Sequence, residues 1–169
     1  MTRRDKPRGQ AMVEFALVIP VFLLLMVALF DFGRVIWVND TLATAAREAV
    51  RYAIVHGGSD SQPCPVGPPA PGVTIPPAST ACPYPSPSRQ AIKDLAQQYA
   101  AGTSTDVTVH VCYGIVSSCT TDTDQAGATN ARKTQVTVTV VSVVDLSVPS
   151  LAGFGGFSLQ ASSTMLVNH

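Results

Sequence analysis

Gly9-Gln10-Ala11-Met12-Val13-Glu14-Phe15-Ala16-Leu17-Val18-Ile19-Pro20-Val21-Phe22-Leu23-Leu24-Leu25-Met26-Val27-Ala28-Leu29-Phe30 decides the architecture of this 169-residue chain. Beyond Gln10 it holds a single ionisable residue, Glu14. About 20 such residues cross roughly 30 Å of hydrocarbon as a helix. Inside lipid every backbone polar group needs an internal partner, so an isolated span is helical. Pro20 kinks that helix or is absorbed locally. A carboxylate in such a segment is costly and calls for a partner.

The flanks orient the span. Arg3, Arg4, Lys6 and Arg8 stand against Asp5, a net +3, whereas Asp31 to Arg34 is neutral. Positive flanks stay cytoplasmic, which places the N-terminus inside and residues beyond about Phe30 outside. A cleaved secretory signal needs a small-x-small triplet directly after its apolar stretch. Phe30-Asp31-Phe32-Gly33-Arg34 follows instead, and Ala43-Thr44-Ala45 lies well downstream.

The helical pattern continues past the span. Val35, Val38, Leu42, Ala45, Ala46, Ala49 and Ala53 recur at steps of three and four, with Thr44, Arg47, Glu48 and Arg51 on the opposite stripe. Gly57-Gly58 is the stop. Gln10 to about Val55 therefore reads as one long helix, weakest at Asn39-Asp40-Thr41. Gly57 to Gln90 holds ten of the thirteen prolines. It reads as an extended, partly polyproline II spacer with no core of its own, held by a disulfide. Ser86 or Ser88 is the candidate cap of a second helix, Arg89 to Ala100, with Ala91, Ile92, Leu95, Ala96 and Tyr99 as its apolar stripe. The period then changes to two. Val107, Val109 and Val111 alternate with polar neighbours, as do Val136, Val138 and Val140, and a weaker last strand covers Leu159 to Val167. Ser117 to Thr134 reads as a long polar hairpin loop.

These elements compose an α+β fold: a long N-terminal helix, membrane-spanning in its first half, packed on a small antiparallel sheet. The expected segments are a basic leader (1–9), a transmembrane helix (10–33), an amphipathic extension (34–56) and an exported Pro/Ser/Thr-rich domain (57–169). Cys64, Cys82, Cys112 and Cys119 all fall on the exported side, where an even count reads as disulfides. Sequence neighbours suggest Cys64–Cys82 and Cys112–Cys119 among three possible pairings.

Arg8-Gly9-Gln10-Ala11-Met12-Val13-Glu14-Phe15 resembles the processing site of type IV prepilins, where a basic leader ends in glycine and the fifth mature residue is glutamate. Together with Phe32-Gly33-Arg34 and Ala45-Ala46-Arg47-Glu48-Ala49-Val50-Arg51-Tyr52-Ala53, the segment is similar to the TadE/TadG-like family. These are pilin-like proteins of tight-adherence (Flp) pilus systems. The resemblance implies cleavage between Gly9 and Gln10 by a prepilin peptidase, and a role as a minor pilin or assembly component beside other pilins. Gln10 departs from the phenylalanine usual at that position. Cleavage frees an α-amino group on Gln10, one helical turn from Glu14, and an ammonium–carboxylate pair in lipid sets register between packed helices. Phe15, Val18, Phe22 and Leu25 are the expected packing surface, and the exposed loops the surface for adhesion. The rival reading is an uncleaved single-pass anchor presenting an extracytoplasmic binding domain.

Other chemistry finds little footing. A formal net charge of zero gives no bulk basicity for nucleic acid. His110, Cys112 and Cys119 are of zinc-ligand types, but a disulfide beside a bystander histidine explains them. Asp122-Thr123-Asp124 resembles the start of a calcium loop without its glycine and closing glutamate, and reads as a solvated turn. His56, His110 and His169 lack convincing nucleophile partners. No enzyme, cofactor, metal or small-molecule substrate is expected.

Overall fold

The computed structural model describes residues 9–57, 65–69, 89–103, 106–147, 150, 153 and 155–168. The basic leader arm, Cys64, Cys82, Ser86, Ser88 and most of the proline-rich spacer lie outside the described residues. Helix α1 runs Gln10–Val55 and α2 runs Gln90–Tyr99. Strands β1 (Val107–Tyr113), β2 (Gln135–Val144) and β3 (Phe157–Leu166) follow. This is the expected α+β arrangement. Two compact units divide the chain, Met1–Ile36 with Asp145–Phe157, and Trp37–Val144 with Ser158–His169.

In the first unit, α1 continues unbroken through Pro20. Proline has no N–H, so the Ala16 carbonyl is left without its ordinary helical donor. Asp31 is buried. Arg34 Nη1 donates to the Asp145 carbonyl at 3.2 Å.

The second unit holds the core. α1 does not break at Asn39-Asp40-Thr41, and the Thr41 hydroxyl donates back to the Trp37 carbonyl one turn earlier at 2.8 Å. Val38, Leu42, Ala45, Ala46, Ala49 and Ala53 are fully buried, as the 3–4 spacing predicts, whereas Val35 is only half-buried and Val50 joins the buried face. Ile92 and Ala96 are the buried positions of α2. The N-cap position of α2 is Arg89, which makes no side-chain capping bond. At its other end the Thr103 hydroxyl donates to the Ala100 carbonyl, and Gly102 takes φ +92°, a conformation that favours a residue without Cβ.

The sheet has the order β1-β2-β3. β1 and β2 are antiparallel, with Val109 opposite Val140, Val111 opposite Val138 and Tyr113 opposite Val136. All six side chains are buried, so the valine alternation fills one face of the sheet. β3 lies against β2. The Thr137 and Thr164 hydroxyls meet at 2.9 Å, and the Val167 N–H donates to the Thr134 carbonyl at 2.9 Å. The strand starts at Phe157, ahead of the expected Leu159. Among the described residues no strand pairs with its outer edge.

The outer edge of β1 is closed by its own connection to β2. Asp122 Oδ1 accepts from the Val111 N–H at 2.9 Å, and Asp124 Oδ1 accepts from the Tyr113 N–H at 2.9 Å. The Gln125 N–H then donates to the Tyr113 carbonyl, and Gln125 Oε1 accepts from the Ile115 N–H. The other carboxylate oxygens face α2, where Asp122 pairs with Lys93 and Asp124 with Arg89. Asp122-Thr123-Asp124 is therefore a clasp and not the solvated turn expected from its sequence. Two carboxylates at alternate positions match the two-residue repeat of the outward N–H groups on a strand edge. Burial acts to raise the Asp122 carboxyl. The Lys93 hydrogen bond, the Val111 N–H and the charges of Lys93 and Arg89 outweigh it and hold the group below the ordinary carboxylate value.

Cys112 and Cys119 are joined by a disulfide seven residues apart in sequence, which anchors the clasp loop to β1. Closing so short a loop contributes about 2 kcal/mol by the chain-entropy relation. Replacing both by alanine is expected to lower the melting temperature by about 10 °C, measured by thermal unfolding under oxidising conditions. An unchanged midpoint would show that the clasp holds the loop without the bond.

Part of the proline-rich spacer also belongs to the core, contrary to expectation. Val66 is buried, its N–H donates to the His56 carbonyl, and Gly67 lies against the ring of Tyr113. Asn130, from the supposedly polar hairpin loop, is buried too. Its backbone N–H donates to the Pro68 carbonyl at 2.6 Å and its side-chain amide to the Val66 carbonyl at 2.8 Å.

Candidate functional site

The residues singled out for processing and register sit together at the start of α1. Gly9 immediately precedes the helix, and its carbonyl accepts the first helical bond, from the Val13 N–H at 3.2 Å. Gln10 is the first helical residue. Both are exposed, and a Cβ placed on Gly9 would meet nothing within 4 Å. The Gly9–Gln10 bond thus lies at the boundary of the helix. Glu14 is exposed one turn further on, about 6 Å along the axis from Gln10.

Around and beyond Glu14 the helix is apolar on every side. Phe15, Leu17, Val18, Val21, Phe22, Leu23, Leu24, Leu25, Leu29 and Phe30 each leave more than half of their surface open. An 18-residue window of α1 has a mean hydropathy of 2.7, with none of it buried against the rest of the chain. A helix that is hydrophobic all round is made for a non-aqueous surrounding or for other helices. The length and composition meet the requirement for crossing a membrane. Phe15, Val18, Phe22 and Leu25, the expected packing surface, contribute to this uncovered cylinder, although they are no more exposed than their neighbours.

The second half of the same helix behaves in the opposite way. Its alanines are spent inside the folded domain, which leaves Arg47 and Arg51 outside. The element that carries the candidate site is therefore also a structural member of the domain core.

The remaining residues considered from sequence resolve differently. Cys112 and Cys119 are bonded to each other, so they offer no thiolate to a metal beside His110. His110 Nδ1 lies 4.0 Å from Asp122 Oδ1, at the side of the clasp. Among the described residues no group of three or more His, Cys, Asp or Glu side chains is placed to hold a metal ion. Cys64 and Cys82 lie outside the described residues. The four members of the clasp, Arg89, Lys93, Asp122 and Asp124, were not anticipated as a group. Their only sequence signal is the carboxylate alternation at Asp122 and Asp124.

No curated protein and no solved structure matches the chain. The family model described as TadE-like protein matches residues 9–51, from the glycine ahead of α1 to Arg51 among the alanine-faced turns, so that this segment is similar to that family.

Proposed function

We propose that this chain is a pilin-like structural subunit of a tight-adherence pilus system, a minor pilin or pseudopilin. It inserts by α1 with its N-terminus in the cytoplasm and its folded domain on the outer side of a bacterial inner membrane. A prepilin peptidase cuts it after Gly9. It then joins other pilus proteins by side-to-side packing of the apolar half of α1. The freed ammonium of Gln10 pairs with Glu14 of an adjacent copy and rewards one register over the others.

The observation that carries this reading is the uncovered apolar cylinder with one carboxylate, Glu14, a single turn from the Gly9–Gln10 bond. The TadE-like match begins at that glycine and associates the chain with pilus systems of this kind. The test is the mature N-terminus, mapped by mass spectrometry in cells with and without the peptidase. Gln10 is expected with the enzyme and Met1 or Thr2 without it. Material that keeps its leader in both strains would instead describe a tethered ectodomain. Glu14→Ala is expected to leave membrane insertion intact and to lower incorporation into pilus complexes at least about tenfold, since an unpaired buried ammonium costs several kcal/mol. Wild-type incorporation of that variant would remove the register role.

A further inference from the structure

Trp37 is the only tryptophan in the chain. It belongs to α1, which runs unbroken from Phe30 to Trp37 and beyond. Its side chain is 53% exposed although it belongs to the folded domain, and Phe30 and Phe32 just before it are more exposed still. Five to seven helical residues separate these phenylalanines from Trp37, about 8–10 Å along the axis. The headgroup layer outside the hydrocarbon is roughly 5–8 Å deep on each side. Covalent continuity along α1 brings Trp37 to about headgroup depth, where tryptophan is preferred because it is apolar with one polar N–H.

The ring has a neighbour from the domain. A Cβ placed on Gly102 would lie 3.9 Å from the indole Cη2. Gly102 belongs to the turn that ends α2, where Ala101 and Gly102 are exposed and Tyr99 leaves 47% of its surface open. From Tyr99 to Thr103 there is no charged side chain. A small, uncharged turn beside an exposed indole and close to an exposed tyrosine suits a layer of carbonyl and headgroup dipoles. The same exposure serves no purpose in the core of the domain.

We infer that Trp37, with Tyr99, Ala101 and Gly102 of the α2 terminal turn, forms a lipid-contacting surface of the folded domain, seated in the headgroup layer at the outer end of the span. This rests on the reading that α1 crosses the membrane. It adds a second contact between the chain and lipid, made by the domain itself.

The full chain, reconstituted in phosphatidylcholine vesicles, supplies its own reporter. Phospholipids carrying bromine near the glycerol end of the acyl chain are expected to quench the tryptophan about threefold more than those brominated near the methyl end, with little quenching by aqueous iodide. An environment-sensitive dye on Ala101→Cys is expected to shift its emission to the blue on vesicles. Full access to iodide with no lipid quenching, in protein that stays with the vesicles through a carbonate wash, would overturn the surface while leaving the span intact. Strongest quenching by the deep bromines would overturn it by placing the ring in hydrocarbon. Protein released by the carbonate wash would overturn both the surface and the spanning helix.

Discussion

Gly67→Ala is expected to destabilise the folded domain by about 3–5 kcal/mol, enough to consume much of the stability of a domain of this size. Two costs combine. Gly67 adopts φ +84°, a left-handed conformation that disfavours any Cβ by about 1–2 kcal/mol. The added methyl would also overlap Cζ and Oη of Tyr113 and lie 2.8 Å from its Cε1. Neither partner can retreat. Tyr113 is fully buried, with Arg89 over its ring at 5.9 Å from the centroid. Gly67 is bracketed by the two Asn130 hydrogen bonds, to the carbonyls of Val66 and Pro68. Urea unfolding of the two proteins measures the difference. In a Tyr113→Ala background the steric part vanishes, and Gly67→Ala should then cost only the conformational part, about 1–2 kcal/mol. A cost below about 1 kcal/mol in the native background would mean that Gly67 and Tyr113 do not meet as described.

The second large effect concerns the clasp. Asp122→Ala with Asp124→Ala is expected to cost about 3–5 kcal/mol, because each change leaves a strand-edge N–H without an acceptor, at about 1–3 kcal/mol each, and strands a half-buried cation on α2. The ion pairs are partly exposed and contribute the smaller share. The contribution of Asp122 has a definite pH signature. Its folded-state value lies below the ordinary 3.8, so its stabilisation is complete above that value and is lost as pH falls through the lower, folded value. The wild-type domain should therefore lose stability on acidification below about 4, and Asp122→Asn should flatten that part of the profile. Equal acid sensitivity in both proteins would assign the loss to other carboxylates.

What could be read beforehand and what could not follow one physical distinction. Patterns carried by side chains along a single element were legible. α1 was bounded at both ends by its glycines, and the valine alternation located β1 and β2 with the correct buried face. Cys112 and Cys119, close in sequence and flanking a turn, were paired as found. Gly9, Gln10 and Glu14 fall within the first turns of α1, as their spacing in a helix requires. Contacts between a side chain and a distant backbone were not legible. The partners of Asp122 and Asp124 are main-chain N–H groups, which every non-proline residue carries, so nothing at Val111 or Tyr113 marks them as recipients. The same holds for Asn130, whose acceptors are carbonyls of a segment that proline content alone consigned to a spacer. Gly67 carried no signal of its own within the proline-rich segment, since its need for closeness comes from Tyr113, far away in the chain. The early start of β3 escaped because Phe157-Ser158 adds no clear alternation to a strand rich in serine and threonine.

The sheet's two margins differ: one is sealed by carboxylates of the chain itself, while the other has no strand beside it among the described residues. Main-chain pairing with another strand is thus blocked at the β1 margin, where the Val111 and Tyr113 N–H groups are already taken. Strand addition at that margin would first have to displace both carboxylates. The clasp gives the domain a built-in safeguard against the endless strand stacking that a sheet open at both margins invites.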